Sequence, residues 1–253
     1  MNRRRYLQLS AAGPLGFAAA PVEPRSILAR TAERYALAAA FDVVVEERVS
    51  DDLVRTRPIE TIRLAACEPH RFLYQSPAPP TKVRFHLGCD GETITHYLYL
   101  CNEYKQEPLH REGREQRLTV PGKGFLQHRA RLVAYFPDLI SRAQRPPAYV
   151  GLENIDTFGR KRTTHVIHTR CPEGDRSDWS ERLWIDPGTS LVLRSLIRRW
   201  EWSQASPRVL WYRRHTFDWR HLGDNLEDAV FRFQPPKGAR LVETFCPARS
   251  GAG

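Results

Sequence analysis

Absent from the 253-residue chain is any apolar run, beyond its first twenty residues, of the ~18 residues that a helix needs to cross a bilayer. The expectation is a soluble or peripheral protein, not a membrane-embedded one. Also absent are GxSxG, HExxH and a phosphate-cradling glycine loop, which removes the common signatures of serine hydrolases, zinc proteases and nucleotide-binding enzymes. The five Cys stand at 67, 89, 101, 171 and 246 with no CxxC spacing, so thioredoxin-like redox chemistry and cysteine-zinc sites are not expected. An odd number leaves at least one thiol over if all pairs are intramolecular, and the spacing assigns no pairing. The nine His are scattered, and His165 and His168, three apart on a strand, point to opposite faces, which disfavours joint metal binding. No catalytic residues, metal or cofactor are expected. His110-Arg111-Glu112, near Glu103 and Glu107, reads as a solvated loop, not an acid/base cluster.

Charge of one sign is in excess. The formal net charge is +10, but Lys and Arg are spread along the chain between acidic residues, with no run dense enough for a nucleic-acid arm. A solvated basic surface is the reading, with no nucleic-acid partner.

What is present begins with the leader. Asn2-Arg3-Arg4-Arg5-Tyr6-Leu7-Gln8 matches a twin-arginine export signal, with Arg3 and Arg4 as the paired arginines. A weakly apolar stretch from Leu9 to Phe17 follows, broken by Pro14, and the small residues Gly16 and Ala18 suit cleavage after Ala18. The expected division is a signal peptide over 1–18 and one domain over 19–253, periplasmic and with a net charge of about +7 once the three leader arginines are gone.

Ser26 to Ala40 carries apolar residues at Ile27, Leu28, Tyr35 and Leu37 among strong helix formers, predicting a helix with Ser26 as its N-cap. From Phe41 the pattern becomes alternating and β-branched, and Gly, Pro, Asp and Ser clusters then recur at fairly regular spacing, as in an antiparallel meander. Asp90-Gly91 suits a two-residue hairpin turn. Residues 124–143 interrupt the strands with Phe125, Leu132, Phe136, Leu139 and Ala143 at helical spacing, and Pro137 kinks or breaks that second helical segment. The fold class is mainly β, with about ten to eleven strands and two helical segments.

Three stretches carry a resemblance: CDGETITHYLYLCNEY, LWIDPGTSLVLRSLIRR and FRFQPPKGARLVE. With the N-terminal helix, from about residue 26 to 245, the chain resembles the LolA/LolB-like lipoprotein-carrier superfamily, which also includes outer-membrane lipoprotein-sorting proteins and RseB-type periplasmic sensors. The resemblance implies an incomplete antiparallel β-barrel curved round an apolar cavity, lidded by helices, that receives the acyl chain of a lipid or lipoprotein without covalent chemistry. It also leaves room for peripheral membrane contact. The RseB-like alternative uses the same cradle against an envelope protein partner. The twin-arginine leader departs from the general secretory route that such carriers more often take.

The strand VLWYRRHTFDW places Val209, Trp211, Arg213, His215, Phe217 and Trp219 on one side, so one sheet face is rich in Trp and Arg. Trp184, Trp200, Trp202, Trp211 and Phe217, with Phe125, Leu132 and Phe136, are the candidate cavity residues. Arg at the rim can pair with a phosphate or carboxylate head group, although these aromatic side chains could equally be the domain core.

Overall fold

The computed structural model describes residues 22–50, 59–67, 71–77, 84–109, 146–172, 177–202 and 207–245, with backbone alone over 171–172, 177–178, 200–202 and 207–210. The expected signal peptide with Arg3 and Arg4, the helical segment over 124–143 with Phe125, Leu132 and Phe136, and Cys246 lie outside the described residues.

Among the described residues one helix, α1 (Pro24–Ala36), precedes twelve strands. A first run of six comprises β1 (Ala40–Ser50), β2 (Glu60–Cys67), β3 (Arg71–Ser76), β4 (Phe85–Cys89), β5 (Thr93–Leu98) and β6 (Glu103–Pro108). A second run has β7 (Ala148–Thr157), β8 (Arg160–Pro172), β9 (Ser177–Ile185), β10 (Val192–Trp202) and β11 (Pro207–Gly223), and the short β12 (Arg240–Leu241) closes the order. All belong to one open sheet, ordered β12-β6-β5-β4-β3-β2-β1-β11-β10-β9-β8-β7. The two meanders are joined where β1 pairs with β11, and the sheet stays open, as an incomplete barrel. Every pairing is antiparallel except that of β12 with β6.

The helix starts two residues earlier and ends four earlier than its sequence pattern suggests. Pro24 occupies the first turn, where its fixed φ and missing N–H cost nothing, and the Ser26 hydroxyl donates back to the Glu23 carbonyl at 2.9 Å instead of capping. Ala40 is already a strand residue paired on both sides, with Gly223 and Cys67, so the sheet claims the end of the Ala-rich run. Leu37 is left 71% exposed.

The strand total exceeds the expected one because residues 99–102 turn between β5 and β6, with the Asn102 amide donating to the Tyr99 carbonyl and Asn102 at positive φ. The hairpin between β4 and β5 is shifted by one residue. Cys89 pairs with Ile94, and Asp90 bonds to Thr93 across a tip made of Gly91 and Glu92. Asp90 Oδ1 accepts from the Glu92 and Thr93 amides, which is why the Asp stands at the entry to the turn, before Gly91 at φ 107°.

The closing strand expected over FRFQPPKGARLVE is not a strand. After β11 comes a 3-10 turn at Asp228–Val230, then an irregular run to Ala239, and just Arg240 and Leu241 enter the sheet. Pro235 and Pro236 have no N–H to give a ladder, so residues 224–239 form a strap across one face of the first meander.

Side-chain alternation separates the two faces. On the first, Phe41, Val43 and Val45 of β1, Ile62, Leu64 and Ala66 of β2, Leu87 and Cys89 of β4, Leu183 and Ile185 of β9 and Phe217 of β11 form a buried cluster with Ile27, Leu28 and Tyr35 of α1. On the other, Ala40, Ala65, Cys67 and Leu73 receive Phe231 of the strap, which is 2% exposed. We call these the helix face and the strap face.

Candidate functional site

The helix face is positioned by α1. Burial of Ile27, Leu28 and Tyr35, each worth ~1.5–3 kcal/mol, seats the helix on the sheet. Beside a register shift at Leu193, between Val192 and Arg194, the backbone of one residue serves as the latch. The Val192 N–H donates to the Tyr35 hydroxyl at 2.9 Å, and the Val192 carbonyl accepts from Trp219 Nε1 at 2.8 Å. The Tyr35 and Trp219 rings stand 5.4 Å apart. Burial pushes the Tyr35 hydroxyl well above the usual tyrosine range, so it stays a neutral partner for that amide.

Away from the helix the face turns polar. Glu47, which follows Phe41, Val43 and Val45 in the same alternation, has its Oε1 3.0 Å from Arg213 Nε and 3.4 Å from His215 Nε2. Ser195 Oγ lies 3.4 Å from His215 Nδ1. Nearby Tyr74 has its pKa pushed up to about 12, first by burial and then by the carboxylates of Glu60 and Glu47. The face is therefore graded, from an aliphatic bed under α1 to an ionic group beside it.

The candidate cavity residues are divided by this geometry. Phe217 lies in the helix-face core, 6.1 Å from Trp219, and Trp211, opposite Arg199, is half-buried in the same phase of β11. Trp184 is on the other face, since it stands in register with Arg194 and Thr216, one step out of phase with Phe217. Its indole N–H donates to Glu153 Oε2 at 2.8 Å, and the guanidinium groups of Arg182 and Arg194 each lie 5.8 Å from its ring. Trp200 and Trp202 belong to β10, where they pair with Val209 and Pro207 beyond a one-residue bulge at Leu210 of β11.

The sequence reading missed the strap face. Asn225 Oδ1 accepts from Arg71 Nη2 at 3.0 Å and from Cys67 Sγ at 3.3 Å, and Arg71 also bonds to Asp228. Phe233 then packs on His86, Tyr97 and Tyr104 with centroid distances of 4.7, 5.8 and 5.4 Å. The strap ends with Arg240 on the buried Glu103 at 2.6 Å. Between strap and sheet is a cavity of about 400 Å³ lined in part by Arg63, Gln75, His86, Tyr97 and Phe233. Cys89 and Cys101 are free thiols.

His86 supplies a pH test. Burial, with a smaller push from His96, lowers its pKa to about 4. An unfolded chain, with a His pKa of about 6.5, then binds the proton more readily, so His86 contributes stability that is present above about pH 6.5 and lost as pH falls from there towards 4. The loss should reach about 3 kcal/mol by pH 4. Urea unfolding between pH 7 and pH 4.5 should show a flatter pH dependence for His86→Phe than for the unaltered protein; parallel curves would contradict the assignment.

The open antiparallel sheet, bearing an amphipathic helix on one face, is the incomplete barrel expected from the sequence. The chain belongs to DUF2092, the family described as a predicted periplasmic protein, whose model matches residues 25–245, and it is a periplasmic protein. No curated protein matches it. Among solved structures it is similar to LprF from Mycobacterium bovis, with 15% identity over 85% of this chain and 96% of that one and a TM-score of 0.45. It is also similar to a LolA superfamily protein from Nitrosomonas europaea, with 12% identity, 84% and 99% coverage and a TM-score of 0.32. A third similarity is to the MucA/MucB complex of Pseudomonas aeruginosa, with 15% identity, 81% and 59% coverage and a TM-score of 0.38.

Proposed function

We propose that the protein is an exported periplasmic carrier that holds an acyl chain of a lipid or lipoprotein on its helix face and performs no covalent chemistry. The observation that carries this reading is the grading of that face, from the aliphatic bed of Val43, Val45, Leu64 and Leu183 to the Glu47, Arg213 and His215 group. A chain of ~14 carbons gains on the order of 10 kcal/mol from burial before ordering costs, so affinity comes from area, and Arg213 offers a charge to an anionic head. Phe217 and Trp211 are the candidate lining residues that share this face, and Phe125, Leu132 and Phe136 are proposed to add to it. Because α1 already occupies the bed, the helix must shift to admit a ligand.

That occupancy also supports a second reading, in which the helix is a permanent filling and the face meets an envelope protein. Native mass spectrometry of protein purified from the periplasm separates the two. A lipid-mass adduct that detergent removes is the expected result, and consistently empty protein that copurifies with a polypeptide would replace the carrier by the interaction protein.

Export is proposed to use the twin-arginine leader over 1–18. Replacing Arg3 and Arg4 by Lys should retain the chain in the cytoplasm, read by fractionation and immunoblot, and unchanged export would remove that part of the proposal.

A further inference from the structure

The cavity under the strap stands apart from the helix face and has polar groups that the fold leaves unmet. Gln75 Nε2 lies 3.3 Å from His86 Nδ1. With the Gln75 amide assigned in this orientation its nitrogen donates, so His86 accepts at Nδ1 and carries its proton on Nε2. His86 is 2% exposed, and its Nε2 and Gln75 Oε1 are buried without hydrogen-bond partners. Buried polar atoms are nearly always paired, so an unmet donor and an unmet acceptor on two residues that line one cavity are groups that a ligand would complete. The His86 ring can lie along the strand because residue 88 is Gly, where a Cβ would stand 2.8 Å from Nε2.

The charge and shape of the cavity restrict the ligand. No carboxylate is among its described lining residues. The nearby Asp42 has both oxygens occupied by Arg63, through Nε at 3.0 Å and Nη2 at 2.8 Å. That leaves Arg63 Nη1 and the exposed Arg232 to meet a negative group. Phe233, Tyr97 and His86 present ring surfaces. A volume of about 400 Å³ lies at the small end of the usual ~300–1,000 Å³ for small-molecule sites. We propose that this cavity binds a small aromatic acid, with its ring against Phe233 and Tyr97, its carboxylate towards Arg63 and Arg232, and a ring hydroxyl or N–H donating to Gln75 Oε1.

The test uses 4-hydroxybenzoate and benzoate as probes, titrated into the mature chain by calorimetry and by ¹H–¹⁵N NMR. The hydroxylated acid should bind about tenfold more tightly than benzoate, because a site built to receive a hydrogen bond penalises its loss. Gln75→Leu should abolish that preference, and Arg232→Gln should weaken both acids. In the unaltered protein, 4-hydroxybenzoate should shift the Gln75 side-chain amide and the Phe233 backbone resonances, a reading that needs no variant to fold. No saturable binding of either acid, shifts confined to other parts of the chain, or a preference that survives Gln75→Leu would each overturn the proposal. Oleate titrated in parallel reports on the helix face, so failure at either site leaves the other to be judged by itself.

Discussion

Replacing Tyr35 by Ala should lower the unfolding free energy by about 3–5 kcal/mol, the usual cost of emptying a buried aromatic site, and should expose the bed beneath α1. Two effects act together. The ring fills space against Trp219, and the hydroxyl is the partner of the Val192 amide, which the shifted register turns towards the helix. Tyr35→Phe separates them: it keeps the ring and leaves a buried N–H unmet, so its cost should be about 1–3 kcal/mol. For a domain with a typical stability of ~5–15 kcal/mol, the Ala variant should unfold at a clearly lower urea concentration. Its folded fraction should bind a fluorescent fatty acid more tightly than the unaltered protein. A loss below about 1 kcal/mol would mean that α1 is not held by this contact.

Arg63→Met is the second large effect, because it strips a buried carboxylate of its cation. Asp42 lies in the middle of the sheet at 5% exposure, and Arg63 on the neighbouring strand grips both its oxygens. Removing one member of such a pair costs about 3–5 kcal/mol when both are fully buried. The Arg63 side chain is 18% exposed, so about 2–4 kcal/mol is expected here. Asp42→Asn together with Arg63→Met should recover part of the loss, since the stranded charge is then gone. The four proteins of that double-mutant cycle, compared by urea unfolding, should give a coupling of at least about 1 kcal/mol, and simple additivity would contradict the pairing.

Much of the sheet can be read from local pattern, and its exceptions have local causes. RFLYQS coincides with β3, and the alternation from Trp211 to Trp219 holds in β11 because no bulge falls between them. The register shifts near Leu193, Leu210 and Arg220 are set by pairing across strands, and a one-residue slip moves every later side chain to the other face. Pairing register alone, with no bulge involved, sets Trp184 level with Arg194 and Thr216, so Trp184 and Phe217, both apolar candidates in the sequence, stand on opposite sides. The proline pair at 235 and 236 is a strand-breaker by its missing N–H groups, and an irregular strap stands where FRFQPPKGARLVE predicts a strand. The strap-face cavity had a fainter signal. His86 and Gly88 are two apart on a strand, as are His221 and Gly223, and in both pairs the His ring lies within 3.2 Å of where a Cβ would stand on the Gly. A His-x-Gly phrase in a strand thus marks a ring lying along the backbone, which a single sequence offers only in retrospect.

The seam between β1 and β11 has a consequence in time. Ala40 is among the first residues of the domain to be synthesised, and its partner Gly223 is among the last. At ~5–20 residues per second, the inner edge of β1 waits on the order of ten seconds or more for the strand that covers it. Throughout that interval Val43, Val45 and their neighbours form an open, aggregation-prone margin on the nascent chain. Slowed synthesis after β6 should therefore lower the soluble yield of this protein more than an equal delay placed after β11.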